Sequence, residues 1–241
     1  MRAGPHPFHH RPRPGFTLVE LLVVIVTFVA LGGIAFSAGK SVQVKSRQIR
    51  SAGNLRQWGA ALGLYMTEHN NALPRRGQGK QKLSQLNRPE DWFNALPPYL
   101  GQPPYQELVA EGRSPRPGDD SPFICPGVAP ASPPARYPLG YGMNMNLSPW
   151  NFPEPTLLSQ ISSLPTVVFM AEAPGDHASI YPSAAGYSLV APHAGRGNVL
   201  FLDGHVEAYS GDYLGCHKGD PGRRDVSWKT GTDSDANSDS Y

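Results

Sequence analysis

Residues 16–38 form a run of 23, FTLVELLVVIVTFVALGGIAFSA, in which Glu20 is the sole charge. As a helix this run is roughly 34 Å long, enough to cross a bilayer core of about 30 Å. A secretory signal would have a shorter apolar region, of about 7–15 residues, with a small-residue cleavage site after it. Here the plausible cleavage site, Pro14-Gly15-Phe16, comes first. The pattern therefore predicts a basic leader over 1–15, with Arg2, Arg11 and Arg13 and no acid, followed by a transmembrane helix over 16–38. A mean hydropathy of −0.36 leaves room for one such span and excludes a polytopic membrane protein.

Glu20 is the exception inside the run. An acidic side chain near the centre of a bilayer costs about 2.5–3.5 kcal/mol on insertion scales, so it requires a partner or a function. Cutting after Gly15 would create an amine on Phe16 one helical turn from Glu20, able to pair within the chain or with a neighbouring copy. The alternative is a glutamate at the membrane edge that snorkels to water.

Gly15-Phe16-Thr17-Leu18-Val19-Glu20, followed by the apolar run from Leu21, resembles the cleavage and methylation signature of type IV prepilins and type II secretion pseudopilins. The resemblance implies that prepilin peptidase, a membrane aspartyl peptidase, cuts after Gly15 and methylates Phe16. It implies too that Glu20 guides assembly with other pilin or pseudopilin subunits through the N-terminal helices. The leader of 15 residues is long for this group, and its mid-helix proline is missing; the Gly32-Gly33 pair supplies a soft spot instead. Lys40, Lys45, Arg47 and Arg50 follow the span while the leader is also basic, so charge bias alone does not orient the chain. The resemblance implies a single pass through the inner membrane, a cytoplasmic leader and a periplasmic head.

Beyond the span, Ile49, Leu55, Trp58, Leu62 and Tyr65 or Met66 recur at helical spacing, predicting an amphipathic continuation over 39–72 that Asn70-Asn71 and Pro74 end. A head over 73–217 follows. With 26 Gly and 26 Pro in the chain, it should be loop-rich. Residues 74–138 are expected to be irregular, with a helical turn at 91–96, a strand end at 123–126 and a solvated basic loop carrying Arg75, Arg76, Lys80 and Lys82. Strands are expected at 166–170, 187–190, 198–202 and 205–209, the last two joined by Asp203-Gly204 as a two-residue type I′ turn. The fold class is α+β: a long N-terminal helix packed on an antiparallel sheet.

A second resemblance lies in the head. His193, nine residues, then Asp203-Gly204 resembles the H-x9-DG signature of a pilin-like C-terminal domain. Cys125-Pro126 and Tyr141-Gly142-Met143-Asn144 match two motifs that commonly precede it. The resemblance implies a structural role for Cys125, Tyr141, Asn144, His193, Asp203 and Gly204.

His193, Asp203, His205 and Glu172 would suit a divalent metal if the hairpin brought them together. The stronger reading has Asp203 serve the turn and His193 bond a backbone carbonyl, so no metal is expected. Asp233, Asp235, Asn237 and Asp239 have the oxygen spacing of a calcium loop's start without its glycine or closing glutamate. No cofactor is expected, and calcium is the one alternative, as in the C-terminal loop of some major pseudopilins. Cys125 and Cys216 are too few for a disulfide scaffold or a four-cysteine zinc site; one bond between them stays open.

Enzyme motifs are absent: there is no G-x-S-x-G, P-loop or H-E-x-x-H. A formal charge of +2 gives no reason to expect nucleic acid as the main partner. The tail over 218–241 is polar, with Trp228 its only large apolar group apart from Tyr241, and is expected to be disordered or loosely docked. Together these readings describe a structural filament subunit. The alternatives are a minor pilin whose head binds a surface, polysaccharide or DNA, and an anchored periplasmic protein that never polymerises.

Overall fold

The computed structural model describes residues 16–77, 83–149, 154–184 and 188–231, excepting the side chains of 34–39. The leader with Gly15, the loop lysines Lys80 and Lys82, and the acidic segment 233–239 lie outside the described residues. The chain divides into two compact units, Met1–Gln43 and Val44–Tyr241. One helix, α1 (Leu18–Glu68), contributes to both.

In the first unit α1 begins with a capping box. The Thr17 amide and hydroxyl donate to Glu20 Oε2 at 2.8 and 2.7 Å, and the Glu20 amide donates to Thr17 Oγ1 at 3.2 Å. Thr-x-x-Glu satisfies two otherwise unpaired helix-end donors, so the carboxylate has a local partner besides any terminal amine. Phe16, Leu18, Phe28 and Val29 are among the exposed apolar side chains of this unit. Among the described residues no helix is long and apolar enough to cross a membrane; the described side chains of the apolar run stop at Gly33.

In the second unit α1 buries Leu55, Trp58, Ala61, Leu62 and Tyr65. Ile49, expected in this stripe, is 59% exposed. Ser51, one turn before Leu55, takes the buried place, because a helical face repeats at three and four residues whatever the polarity of its members. The helix ends at Glu68 rather than at 72. Asn70 (φ 52°) and Asn71 (φ 61°) turn left-handed there, a conformation that Asn tolerates better than most residues.

Among the described residues the sheet has five strands: β1 (Leu139–Asn144), β2 (Val168–Gly175), β3 (Ser179–Ile180), β4 (Arg196–Phe201) and β5 (Val206–Ser210), in the order β3-β1-β2-β4-β5. It is mixed, not purely antiparallel, since β3 runs parallel to β1. One core cluster joins Tyr141, Met143, Phe169, Met170 and Leu200 to Leu55, Trp58 and Leu62 of α1. A second holds Val168, Ala171, Val199 and Phe201 with Leu189, Val226 and Trp228. With both faces covered, β2 is buried through Ala173 instead of alternating.

Short helices complete the unit: α2 (Trp92–Ala95), α3 (Tyr105–Ala110) and α4 (Gly211–Leu214). Trp92 meets Trp58 edge-on with centroids 5.4 Å apart, and Phe123 lies 5.2 Å from Trp58. Such pairs add about 0.5–1.5 kcal/mol beyond area burial.

Three expectations are corrected here. The expected strand at 187–190 is absent over its described residues, 188–190. The tail is docked as far as Thr230: Trp228 is fully buried, and the Val168 amide donates to Ser227 O at 2.9 Å, so backbone pairing holds a stretch whose composition reads as polar. Arg76 is buried, not solvated; it donates to Met145 O at 3.0 Å, and burial with Arg75 nearby brings its pKa down to about 10.

The hairpin between β4 and β5 also differs from the expected type I′ turn. Gly204 N–H donates to Phe201 O and Phe201 N–H to His205 O, both at 3.0 Å, closing a three-residue loop, Leu202-Asp203-Gly204. Only Gly204 (φ 91°) is left-handed. Asp203 Oδ1 instead accepts from the His205 amide at 3.1 Å, the side-chain turn bond that Asp readily makes. Space around a Cβ at Gly204 is open, so the cost of Gly204→Val is backbone strain alone. We expect a loss of about 1–3 kcal/mol, read as a lower melting temperature, with Gly204→Asn costing less.

Asp91 precedes α2 and is 1% exposed, with Oδ1 lacking a hydrogen-bond partner. Burial raises its pKa from 3.8 to about 7, with Glu90 adding to the rise and Arg88, Arg75 and the Gly77 amide opposing it. A carboxyl whose pKa rises on folding favours the fold below its unfolded value, and that contribution disappears as pH climbs through the folded value. Stability should therefore fall between about pH 4 and pH 7. Asp91→Asn should flatten that slope and be the more stable form at pH 8, as thermal melts across pH will show.

Candidate functional site

Three adjacent strands place polar residues on the sheet face that meets α1: Tyr141 on β1, Glu172 opposite it on β2, and Asn198 on β4. Ser51 and Asn54 approach from α1, and Cys125 and His193 come from loops before β1 and β4. All seven are buried, and Glu172 is 0% exposed.

Glu172 is the acceptor at the centre. Its Oε1 receives Ser51 Oγ at 2.5 Å, pairs with His193 Nε2 at 2.8 Å and receives Asn198 Nδ2 at 2.9 Å. Its Oε2 receives the Asn198 amide at 3.1 Å. A carboxylate removed from water needs this kind of enclosure, because an unpaired buried charge costs several kcal/mol.

Ser51 Oγ also lies 3.1 Å from Tyr141 Oη and 3.5 Å from Cys125 Sγ. Asn54 Nδ2 donates to Tyr141 Oη at 3.2 Å and to Ile124 O at 3.2 Å, and Asn198 Nδ2 reaches Gln48 O of α1 at 3.1 Å. Cys125 Sγ is 3.8 Å from His193 Nε2. Burial, then the Glu172 charge, pushes the Cys125 thiol up to about 12, and Tyr141 is raised chiefly by burial.

Two glycines make room for the cluster. A Cβ on Gly127 would stand 2.4 Å from His193 Cε1, and one on Gly140 would stand 2.1 Å from the Cys125 amide nitrogen. Neither position can take a side chain without displacing a member of the site.

Cys125, Tyr141 and His193, singled out in sequence, thus meet in space, while Asn144, Asp203 and Gly204 lie elsewhere. Asn144 Nδ2 donates to Val168 O at 3.0 Å and Trp228 O at 3.2 Å, tying the C-terminal segment to β2. Asp203 pairs with His205 at 2.6 Å in an exposed turn, where the His205 ring stacks on Phe201. The four residues weighed as an alternative metal set, His193, Asp203, His205 and Glu172, therefore split into two separate pairs. β4, six residues or about 20 Å long, separates His193 from the turn. His193 bonds Glu172 rather than a backbone carbonyl through its ring. Cys125 and Cys216 are free thiols, so the bond between them is not formed; Cys216 packs with the second core cluster and Cys125 with the first.

Ser51, Asn54 and Asn198 were not identified from sequence, and Glu172 was named only as a conceivable metal ligand beside His193, Asp203 and His205. Ser51 and Asn54 sit four residues before Leu55 and Trp58 respectively, a visible helical spacing that polarity disguised. Glu172 is the only acid in the run TVVFMAEA, a second visible signal.

Comparison with protein-family models, curated proteins and solved structures finds no match for this chain.

Removing one partner of a buried charge costs more than removing a neutral donor. Ser51→Ala should lose about 1–3 kcal/mol and Glu172→Leu about 3–5 kcal/mol, with Glu172→Gln in between. Thermal melts of the full chain in detergent will establish the order.

Proposed function

We propose that this chain is a pilin-like subunit of a type II secretion or type IV pilus filament. It is made as an inner-membrane precursor with a periplasmic head, cut by prepilin peptidase after Gly15, methylated on Phe16 and polymerised through its N-terminal helices. It works as a structural protein, not an enzyme.

The observation that carries this reading is a single helix, Leu18–Glu68, whose two parts have opposite needs. From Leu55 to Tyr65 it buries its apolar face against the sheet, whereas Phe16, Leu18, Phe28 and Val29 remain exposed. Such side chains call for lipid or for other copies of the helix. The cleavage motif immediately before them supports an arrangement in which lipid holds the precursor and neighbouring helices hold the product.

A specific surface feature favours the second reading, a head that displays a binding site. Tyr209 and Tyr213 stack at 5.3 Å and 7°, with the Arg223 guanidinium 4.7 Å from the Tyr213 ring. A flat aromatic pair beside a cation suits a sugar ring or a nucleobase face.

Terminal peptide mass spectrometry of the membrane-extracted protein tests the first reading. The expected mature terminus is N-methylated Phe16. An intact Met1 terminus in cells with active prepilin peptidase would overturn the reading and favour an anchored protein that never polymerises.

Glu20→Gln separates the two uses of that side chain. Gln keeps the capping bond to Thr17 but removes the charge. It should insert and be cut normally yet fail to enter filaments in cells lacking the wild-type copy. Normal incorporation would reduce Glu20 to a helix cap.

A further inference from the structure

The buried cluster carries a chemistry that a purely structural role does not require. Cys125, Glu172 and His193 each offer one ligand atom, and these atoms lie within 4.8 Å of one another. They are a soft, a borderline and a hard donor, a mixture that suits zinc-type ions and not calcium.

We propose that Cys125, Glu172 and His193 form a binding site for one divalent zinc-type cation, with Ser51 Oγ at the fourth position. Bond lengths of about 2.3 Å to sulfur and 2.0 Å to nitrogen place those two ligands about 3.6 Å apart around a tetrahedral ion. Cys125 Sγ and His193 Nε2 are 3.8 Å apart, long for a hydrogen bond and close to that spacing. Glu172 Oε1 and His193 Nε2, at 2.8 Å, would separate by about half an ångström to share the ion. Ser51 Oγ sits 3.5 Å from the sulfur and 2.5 Å from the carboxylate oxygen, on the α1 side of all three.

Charge favours the same occupant. Thiolate and carboxylate together carry two negative charges and imidazole none, so a divalent cation leaves the buried site neutral, which is the state low-dielectric surroundings favour. On binding, the Cys125 proton leaves to solvent and the Nε2 proton leaves or moves to Nδ1, as metal ligation requires.

The surroundings hold the ligands in place. Asn198 donates twice to Glu172, through its amide and its side chain, the kind of outer support that orients metal ligands. Gly127 lets the His193 ring lie against the backbone, and Gly140 does the same for Cys125. Of the three ligand residues, only Cys125 also lines a cavity beside Val128, Pro130 and Leu139, which gives an ion a side to enter from.

The test uses the full chain in detergent, stripped of metal and then given ZnCl2 or CoCl2. The expected result is one metal per chain by elemental mass spectrometry and a melting temperature raised by Zn2+. The Co2+ form should show a thiolate-to-cobalt charge-transfer band with tetrahedral visible bands. Cys216→Ala should keep the band and Cys125→Ala should lose it. No thiolate band and no melting shift in folded wild-type protein would overturn the proposal. So would a band that survives in Cys125→Ala or disappears in Cys216→Ala. If Cys125→Ala does not fold, the wild-type and Cys216→Ala spectra decide the matter.

Discussion

The Glu172 carboxylate organises the unit around it. It is fully enclosed, and every group that bonds it comes from a different part of the chain: Ser51 from α1, His193 from the loop before β4, Asn198 from β4 itself. Such a charge tolerates only one arrangement of its donors, because losing any of them exposes part of its desolvation cost. Apolar packing between Leu55, Trp58 and the sheet supplies most of the stabilisation but is forgiving about register. A helix turned by one residue, about 100°, would still find apolar partners for some of its face, yet would carry Ser51 away from Oε1. The polar cluster therefore specifies how α1 sits on the sheet, and the core makes that arrangement stable.

What was legible in the sequence follows the same division. The long helix was readable because apolar periodicity and a double-Asn stop are local signals, and β4 and β5 because β-branched and aromatic runs flank a Gly turn. β1 was missed: Leu-Gly-Tyr-Gly-Met-Asn has the glycines of a loop, and they belong there because the Cys125 backbone at Gly140 and the Ile180 side chain at Gly142 come too close for a Cβ. A Cβ at Gly142 would stand 2.7 Å from Ile180 Cγ2. β3 has two residues and no pattern to read. The docking of Trp228 depends on backbone bonds to β2 and on Asn144, partners more than fifty residues away that no local window contains.

The site was half legible for a related reason. Cys125, Tyr141 and His193 stood out as motif members and Glu172 as a conceivable ligand, while Ser51, Asn54 and Asn198 looked like ordinary helix and strand positions. A buried polar stripe on an amphipathic helix reads as a gap in the apolar one, and Ile49, the better hydrophobe, was a more natural choice than Ser51. Only pairing across the sheet, Tyr141 opposite Glu172 and Ala171 opposite Val199, reveals that the gap faces other polar groups.

The spacing of His193 and Asp203 now has a physical meaning that a shared ligand set would not give it. The interval contains the turn Ala194-Gly195, both left-handed at φ 53° and 79°, the six residues of β4, and Leu202 at the start of the next turn. It measures one strand plus the bends at its ends. His193 is set at the end where β4 enters the sheet beside Glu172, and Asp203-Gly204 at the end where the chain reverses into β5. A change in that length would move one end by about 3.3 Å per residue and flip the faces of everything between, sending Asn198 and Leu200 to the side of Trp228. Asn198 would then lose Glu172, and the carboxylate would be left with two of its three donor residues. The two ends of the motif are tied by the strand's register and need never touch.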